Sequence, residues 1–227
     1  MAKFDLTLVT CDPLPEPDPD LVPLLEALGS RDVETRVSVW DDPDVDWGEA
    51  PITLIRSTWD YYHHRPAFVR WSRRVSDVST LINPPHVVEW NSHKSYLQDL
   101  DDAGVPVAPT VLLQKGSDRQ LSGLCDERDW SQVVVKPAVS AASFQTHVVD
   151  RDQIDERLFE TLLSSRDMLV QPYIPEMETT GERSVVAIDG EITHSVRKNP
   201  RFHGEDESID GPLHVDADQR QLVERAL

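Results

Sequence analysis

Cysteine is nearly missing from this sequence. Cys11 and Cys125 are its only two, far apart and without a CxxC or Cys/His spacing, so a disulfide framework is excluded and a structural zinc site is not suggested. Long apolar runs are missing too. The opening MAKFDLTLVT stays apolar for one strand only, and no later run approaches the ~20 residues needed to cross a bilayer. With neither signal peptide nor anchor, the reducing cytoplasm is the expected compartment. Positive charge is scarce, at 22 Lys and Arg against 41 Asp and Glu, a formal net of −19. Such a field repels nucleic acid and anionic membrane, and neither is an expected partner. Catalytic signatures of other classes are also lacking. No GxSxG or HExxH occurs, no activated-cysteine motif is present, and His63, His64, His86 and His93 lack metal-ligand spacing.

What is present argues for a folded protein. An apolar fraction of 39% with six tryptophans over 227 residues is enough for one or two compact units with room for a cleft. Residues 4–10, 33–39 and 52–57 read as buried strands, with helical spacing over 19–28 and 65–78 and Gly29 at a C-cap position. This alternation predicts a small parallel α/β sheet whose ligands gather at the carboxyl ends of its strands. A short strand at 81–82 closes against Pro84 and Pro85, and Ser92 is placed to cap a helix running to Asp102. Beyond it, 111–114, 132–136, 146–149 and 168–173 read as strands, with a helix at 153–164. Strand-like runs at 183–188 and 191–197 flank Asp189-Gly190, the pair that suits a type I′ hairpin turn.

Lysine is the rarest basic residue, with only Lys3, Lys94, Lys115, Lys136 and Lys198. Lys136 follows Val133-Val134-Val135 and precedes a proline, which sets a cation at the end of a buried strand. Burying an ammonium costs several kcal/mol unless an acid or a phosphate meets it. The small, hydroxylic loop at 138–143, with Ser140 and Ser143, suits close approach of backbone N–H groups to phosphate oxygens, although an ordinary hairpin loop has the same composition. Gln171-Pro172-Tyr173-Ile174 ends a strand in an extended connector expected to leave backbone groups facing outward. Lys198 again ends a strand shortly before a proline.

Together these segments resemble the ATP-grasp superfamily over roughly residues 83–200. Gly181-Glu182-Arg183-Ser184 and His194-Ser195-Val196-Arg197-Lys198 are similar to its glutathione-synthetase and RimK-like branch. Arg56-Ser57-Thr58-Trp59-Asp60-Tyr61, with Phe68 and Trp71, further resembles the D-cycloserine synthetase-type ligases. The resemblance implies an α/β chain, α+β in its lid, with an N-terminal parallel pre-ATP-grasp domain (1–85), a lid subdomain with a linking helix (86–170) and the start of a C-terminal core (171–227). It implies ATP and Mg²⁺ as cofactors, small carboxylate and amine substrates, and an acyl phosphate intermediate. A homo-oligomer is compatible with it.

The same resemblance assigns Lys94, Lys136, Ser140 and Ser143 to the phosphates, and Gln171, Pro172, Tyr173 and Ile174 to adenine. Glu178 goes to the ribose, with Glu176 as fallback, and Lys198 and Arg183 are the candidate catalytic residues. Arg56 and Asp60 face the substrate in this scheme; on composition alone they make a strand-end ion pair. The metal ligands stay unassigned, because Glu205, Asp206, Glu207 and Asp210 read as a solvated loop. The final helix, from Asp216, runs out at Leu227 without a capping residue, so the chain is expected to be a fragment lacking the metal-binding strands and inactive alone. An ATP-binding protein that ligates nothing is the alternative.

Overall fold

The computed structural model describes residues 2–141, 143–198 and 208–226, and of Glu178 the backbone only. The chain divides into two compact units, Met1–Lys94 with Ala138–Gln145, and Ser95–Pro137 with Thr146–Leu227.

The first unit contains β1 (Leu6–Thr10), α1 (Leu21–Gly29), β2 (Thr35–Val39), β3 (Ile52–Ser57), α2 (Arg65–Ser76), β4 (Thr80–Ile82) and α3 (Pro85–Asn91). Its sheet has the order β2-β1-β3-β4, and all its pairings are parallel. The first four residues of β1 are buried, as befits an inner strand of a parallel sheet. Helix α2 turns Phe68, Trp71 and Val75 inward at helical spacing, and they pack with Val9, Trp40 and Leu81. Phe68 stacks on Trp71 at 5.1 Å and meets the edge of Trp40 at 5.3 Å.

Two expectations fail in this unit. Gly29 is the last residue of α1 rather than its cap. Ser30 closes the helix in a right-handed conformation, and Asp32 takes the left-handed one (φ 57°). Ser92 ends a helix instead of starting one. Its N–H reaches Val88 O at 3.1 Å, so it closes α3, and the helix ending at Asp102 begins at Tyr96. Pro85 at the first turn of α3 suits a helix start, a signal outweighed in the sequence by its place beside Pro84.

The second unit holds α4 (Tyr96–Asp102), β5 (Val111–Leu113), α5 (Leu121–Arg128), β6 (Gln132–Pro137), β7 (His147–Asp150), α6 (Glu156–Ser165) and β8 (Met168–Pro172), followed by α7 (Glu176–Thr180), β9 (Glu182–Ile188), β10 (Glu191–Lys198), β11 (Ile209–Leu213) and α8 (Ala217–Ala226). Two antiparallel sheets form, β5-β8-β6-β7 and β11-β10-β9. The first encloses Val133, Val135, Met168 and Val170 against Leu121, Leu124, Phe159 and Leu163. Helix α5 is absent from the sequence reading because its start is satisfied from afar: Glu156 accepts from Leu121 N at 3.0 Å and Ser122 N at 2.8 Å. Asp189 (φ 53°) and Gly190 (φ 78°) turn the β9–β10 hairpin, both with the positive φ that a type I′ turn requires.

One correction bears on function. Asp210, expected in a solvated loop, lies in β11 opposite Arg197 and ion-pairs with it. Glu205, Asp206 and Glu207 lie outside the described residues. Among the described residues, no helix is long and apolar enough to cross a membrane.

Candidate functional site

Lys136 is the cation whose surroundings ask for a ligand. It stands on β6 between the buried Val135 and Pro137, paired in register with Leu169 on β8. Burial pushes its ammonium below the ordinary lysine value, and the carboxylate of Glu182 on β9 opposes that shift without cancelling it. Among the described residues the ammonium has no hydrogen bond and no ion pair. A partly desolvated ammonium in this state gains most from an incoming anion.

Glu182 carries no assignment from the sequence, yet it links three groups of the second unit. It opposes Lys198 in the β9–β10 ladder, so both side chains share a face. It acts on Lys136, and it adds to the effect of burial in raising the Tyr96 hydroxyl. Its signal in the sequence is position, two residues past the hinge helix and directly after Gly181. That glycine, at φ 70°, cannot be replaced without conflict, because a Cβ there would lie 2.5 Å from Lys198 O.

The hinge differs from expectation. Gln171 and Pro172 are the last rungs of β8 against β6, and Tyr173 N donates to Gln132 O at 2.9 Å, so the connector's backbone is partly used by its own sheet. The ladder with β5 ends earlier, at Val111 opposite Val170. Among the described residues no strand therefore flanks the Gln171–Pro172 end of β8 on that side, where Gln171 Nε2 donates to Thr110 Oγ1 at 2.7 Å. Ile174 is exposed, Glu176 is exposed on α7, and the Glu178 side chain lies outside the description.

Arg183 is held by its own sheet. Its guanidinium donates to Ser195 Oγ at 2.9 Å and His214 O at 2.8 Å, and the fully buried Ser195 hydroxyl is shared with Leu213 O and His214 O.

In the first unit, Lys94 is engaged with the small hydroxylic loop. Its Nζ donates to Ser140 O at 2.6 Å and its backbone N–H to Ala138 O at 2.8 Å. Phe144 packs on Tyr62 at 5.1 Å and His63 at 5.4 Å, and Ser143 takes φ 57° beside it. Arg56 does not pair with Asp60, as composition suggested. It binds Asp18 at 3.0 Å and Asp20 at 2.9 Å, acids from the proline-rich loop that follows β1. Asp60 instead accepts from Trp40 Nε1 at 2.9 Å. Burial raises the Cys11 thiol, which disfavours its reactive thiolate. Among the described residues no three His, Cys, Asp or Glu side chains converge as a metal site.

The sequence and fold have named relatives. Residues 6–83 match the family model of the D-cycloserine synthetase DcsG N-terminal domain. The cycloserine biosynthesis protein DcsG of Streptomyces lavendulae is 31% identical over 231 residues, covering 92% of this chain and 74% of the relative. The crystal structure of D-cycloserine synthetase DcsG superposes with a TM-score of 0.85 at 30% identity, over 98% of this chain and 79% of that one. A RimK domain ATP-grasp protein from Sphaerobacter thermophilus shares the fold, with a TM-score of 0.69 at 18% identity over 97% of this chain and 80% of that one. A relative this similar over most of both chains, together with the close superposition of the folds, places the chain in the DcsG family of ATP-grasp ligases.

Proposed function

We propose that the chain binds ATP and serves an ATP-dependent carboxylate–amine ligation that proceeds through an acyl phosphate. The observation that carries this reading is Lys136, a strand-end ammonium pushed down by burial and without a hydrogen-bonding partner among the described residues. Family membership supports it. The carboxylate takes the γ-phosphoryl group of ATP, leaving ADP, and the amine then attacks the acyl carbon and displaces inorganic phosphate.

The protein's share is positioning and charge neutralisation. Lys136 meets phosphate oxygens, and the arriving anion restores the charge state that burial disfavours. Gln171, Pro172, Tyr173 and Ile174 offer adenine the side of β8 that β5 leaves uncovered, with Glu178 or Glu176 for the ribose. Lys94 ties down the loop whose Ser140 and Ser143 groups face the phosphates. Lys198 serves the transferring group, aligned by Glu182, and Arg183 fixes the strands behind it. Arg56 and Asp60 belong to the substrate side. The division at residues 85 and 170 into N-terminal domain, lid and core is part of the same proposal. Mg²⁺ fits the reaction class, but the described residues offer it no ligand set, so no step is assigned to it.

Calorimetric titration of ATP with Mg²⁺ into this chain tests the reading. Lys136→Ala is expected to weaken binding by about 1.5–3 kcal/mol, roughly ten- to hundredfold in Kd. Equal affinity in wild type and variant would remove Lys136 from the site. Lys136→Met gives a second readout. Because the folded-state value lies below the ordinary 10.5, wild-type stability rises as pH climbs through the folded value toward 10.5, and the variant lacks that rise. ADP release that depends on both an added carboxylate and an amine separates ligation from nucleotide binding alone.

A further inference from the structure

The acid-rich chain contains a markedly basic stretch that carries no acid. From Tyr61 to Ser76 the sequence carries four arginines and two histidines and no Asp or Glu. Helix α2 turns that stretch into a surface, since Ala67, Arg70 and Arg74 recur at helical spacing on the flank next to its buried Phe68, Trp71 and Val75, with Ala67 at the edge of the core. A concavity of about 540 Å³ lies there, lined by Trp40, Asp41, His64, Ala67 and the arginines at 70, 73 and 74. None of these residues has a part in the nucleotide reading.

Charge at this place is left uncompensated. Arg73 ion-pairs with Glu89, but among the described residues neither the Arg70 nor the Arg74 guanidinium has a hydrogen bond or an ion pair. Two like charges four residues apart destabilise a helix by about 0.2–0.5 kcal/mol, a cost that an anion between them would reverse. Even with Arg73 counted as neutral against Glu89, the two remaining guanidiniums outnumber the carboxylate of Asp41. Ala67 leaves room between them, and Trp40, its N–H given to Asp60, supplies an apolar wall.

We propose that this concavity binds a small molecule carrying an oxyanion group, carboxylate or phosphate, held by the Arg70 and Arg74 forks, together with a hydroxyl or amino group that donates to Asp41. Guanidinium forks match the planar, two-oxygen edge of such groups. The size decides for a small molecule over a protein partner. The volume falls within the roughly 300–1,000 Å³ of ligand pockets, whereas a stable protein interface needs about 800 Å² from each side.

Calorimetry at constant ionic strength tests the site with two probes, citrate, which carries carboxylates and a hydroxyl, and inorganic phosphate. Saturable binding of either is expected in the wild-type chain and in Lys136→Ala, and Arg70→Gln/Arg74→Gln should weaken it about tenfold or more. Both arginines are exposed, so the double variant keeps its fold, which its far-UV circular dichroism checks. Citrate alone binding identifies a carboxylate ligand, and phosphate alone a phosphorylated one. The proposal is overturned by absence of saturable binding for both probes, by equal affinity in the arginine variant, or by loss of binding in Lys136→Ala, which would place the anion at the nucleotide site instead.

Discussion

The two sheets of the second unit carry the two lysines on which the functional reading rests, and they are held together in opposite ways. The β5-β8-β6-β7 sheet buries a continuous apolar cluster, with Val133, Met168 and Val170 fully shielded. In the β11-β10-β9 sheet the one fully buried residue among those described is Ser195, while Ile188 and Ile209 are 62% and 55% exposed. Polar bonds do the holding there, through Arg183, Ser195, His214, and the Arg197–Asp210 pair. A desolvated cation such as Lys136, unpaired among the described residues, needs a frame whose packing can absorb its cost. Lys198 sits opposite Glu182 and asks less of its sheet.

Removing apolar volume should separate the sheets most sharply. Leu163→Ala, in the packed cluster, is expected to cost about 2–5 kcal/mol by urea unfolding. A small loss there would mean that the cluster does not govern stability. Gly181→Ala comes next, at about 1–3 kcal/mol, since its φ of 70° and the close Lys198 carbonyl both oppose a side chain. A melting temperature equal to wild type would show that β9 and β10 relax apart freely.

Glu156→Gln should cost about 1 kcal/mol at neutral pH, as a helix cap does. Burial acts to raise the Glu156 carboxyl, but bonds from Ser122 and Leu121 outweigh it and hold the group below its ordinary 4.5. Its stabilisation is therefore present above pH 4.5 and lost as pH falls through the folded value. Stability profiles of wild type and variant should converge in acid; parallel profiles would deny the carboxylate this role. The smallest change belongs to the polar sheet, where Ile209→Ala should stay within about 0.5 kcal/mol. A loss comparable to Leu163→Ala would erase the contrast.

Much of this was legible beforehand. Strand β3 spans the residues read from the sequence, because a buried parallel strand is a plain apolar run, and the Asp189-Gly190 hairpin follows from the φ that those residues tolerate. The rarity of lysine drew attention to Lys94, Lys136 and Lys198. Helix α5 was not legible, since its cap comes from Glu156, and Asp210 was misplaced because its partner strand is twelve or more residues away.

Local composition by itself determined the parallel sheet, most strands and helices, and the strand-end position of Lys136, for these depend on period and on what each residue does to its own backbone. The tertiary structure decided which charges are satisfied. Arg56 turned to Asp18 and Asp20, Lys94 took Ser140 O, and the Lys136 ammonium, among the described residues, kept the field of Glu182 without a hydrogen bond. Desolvation and pairing depend on neighbours brought from far along the chain, and the order of residues does not record them.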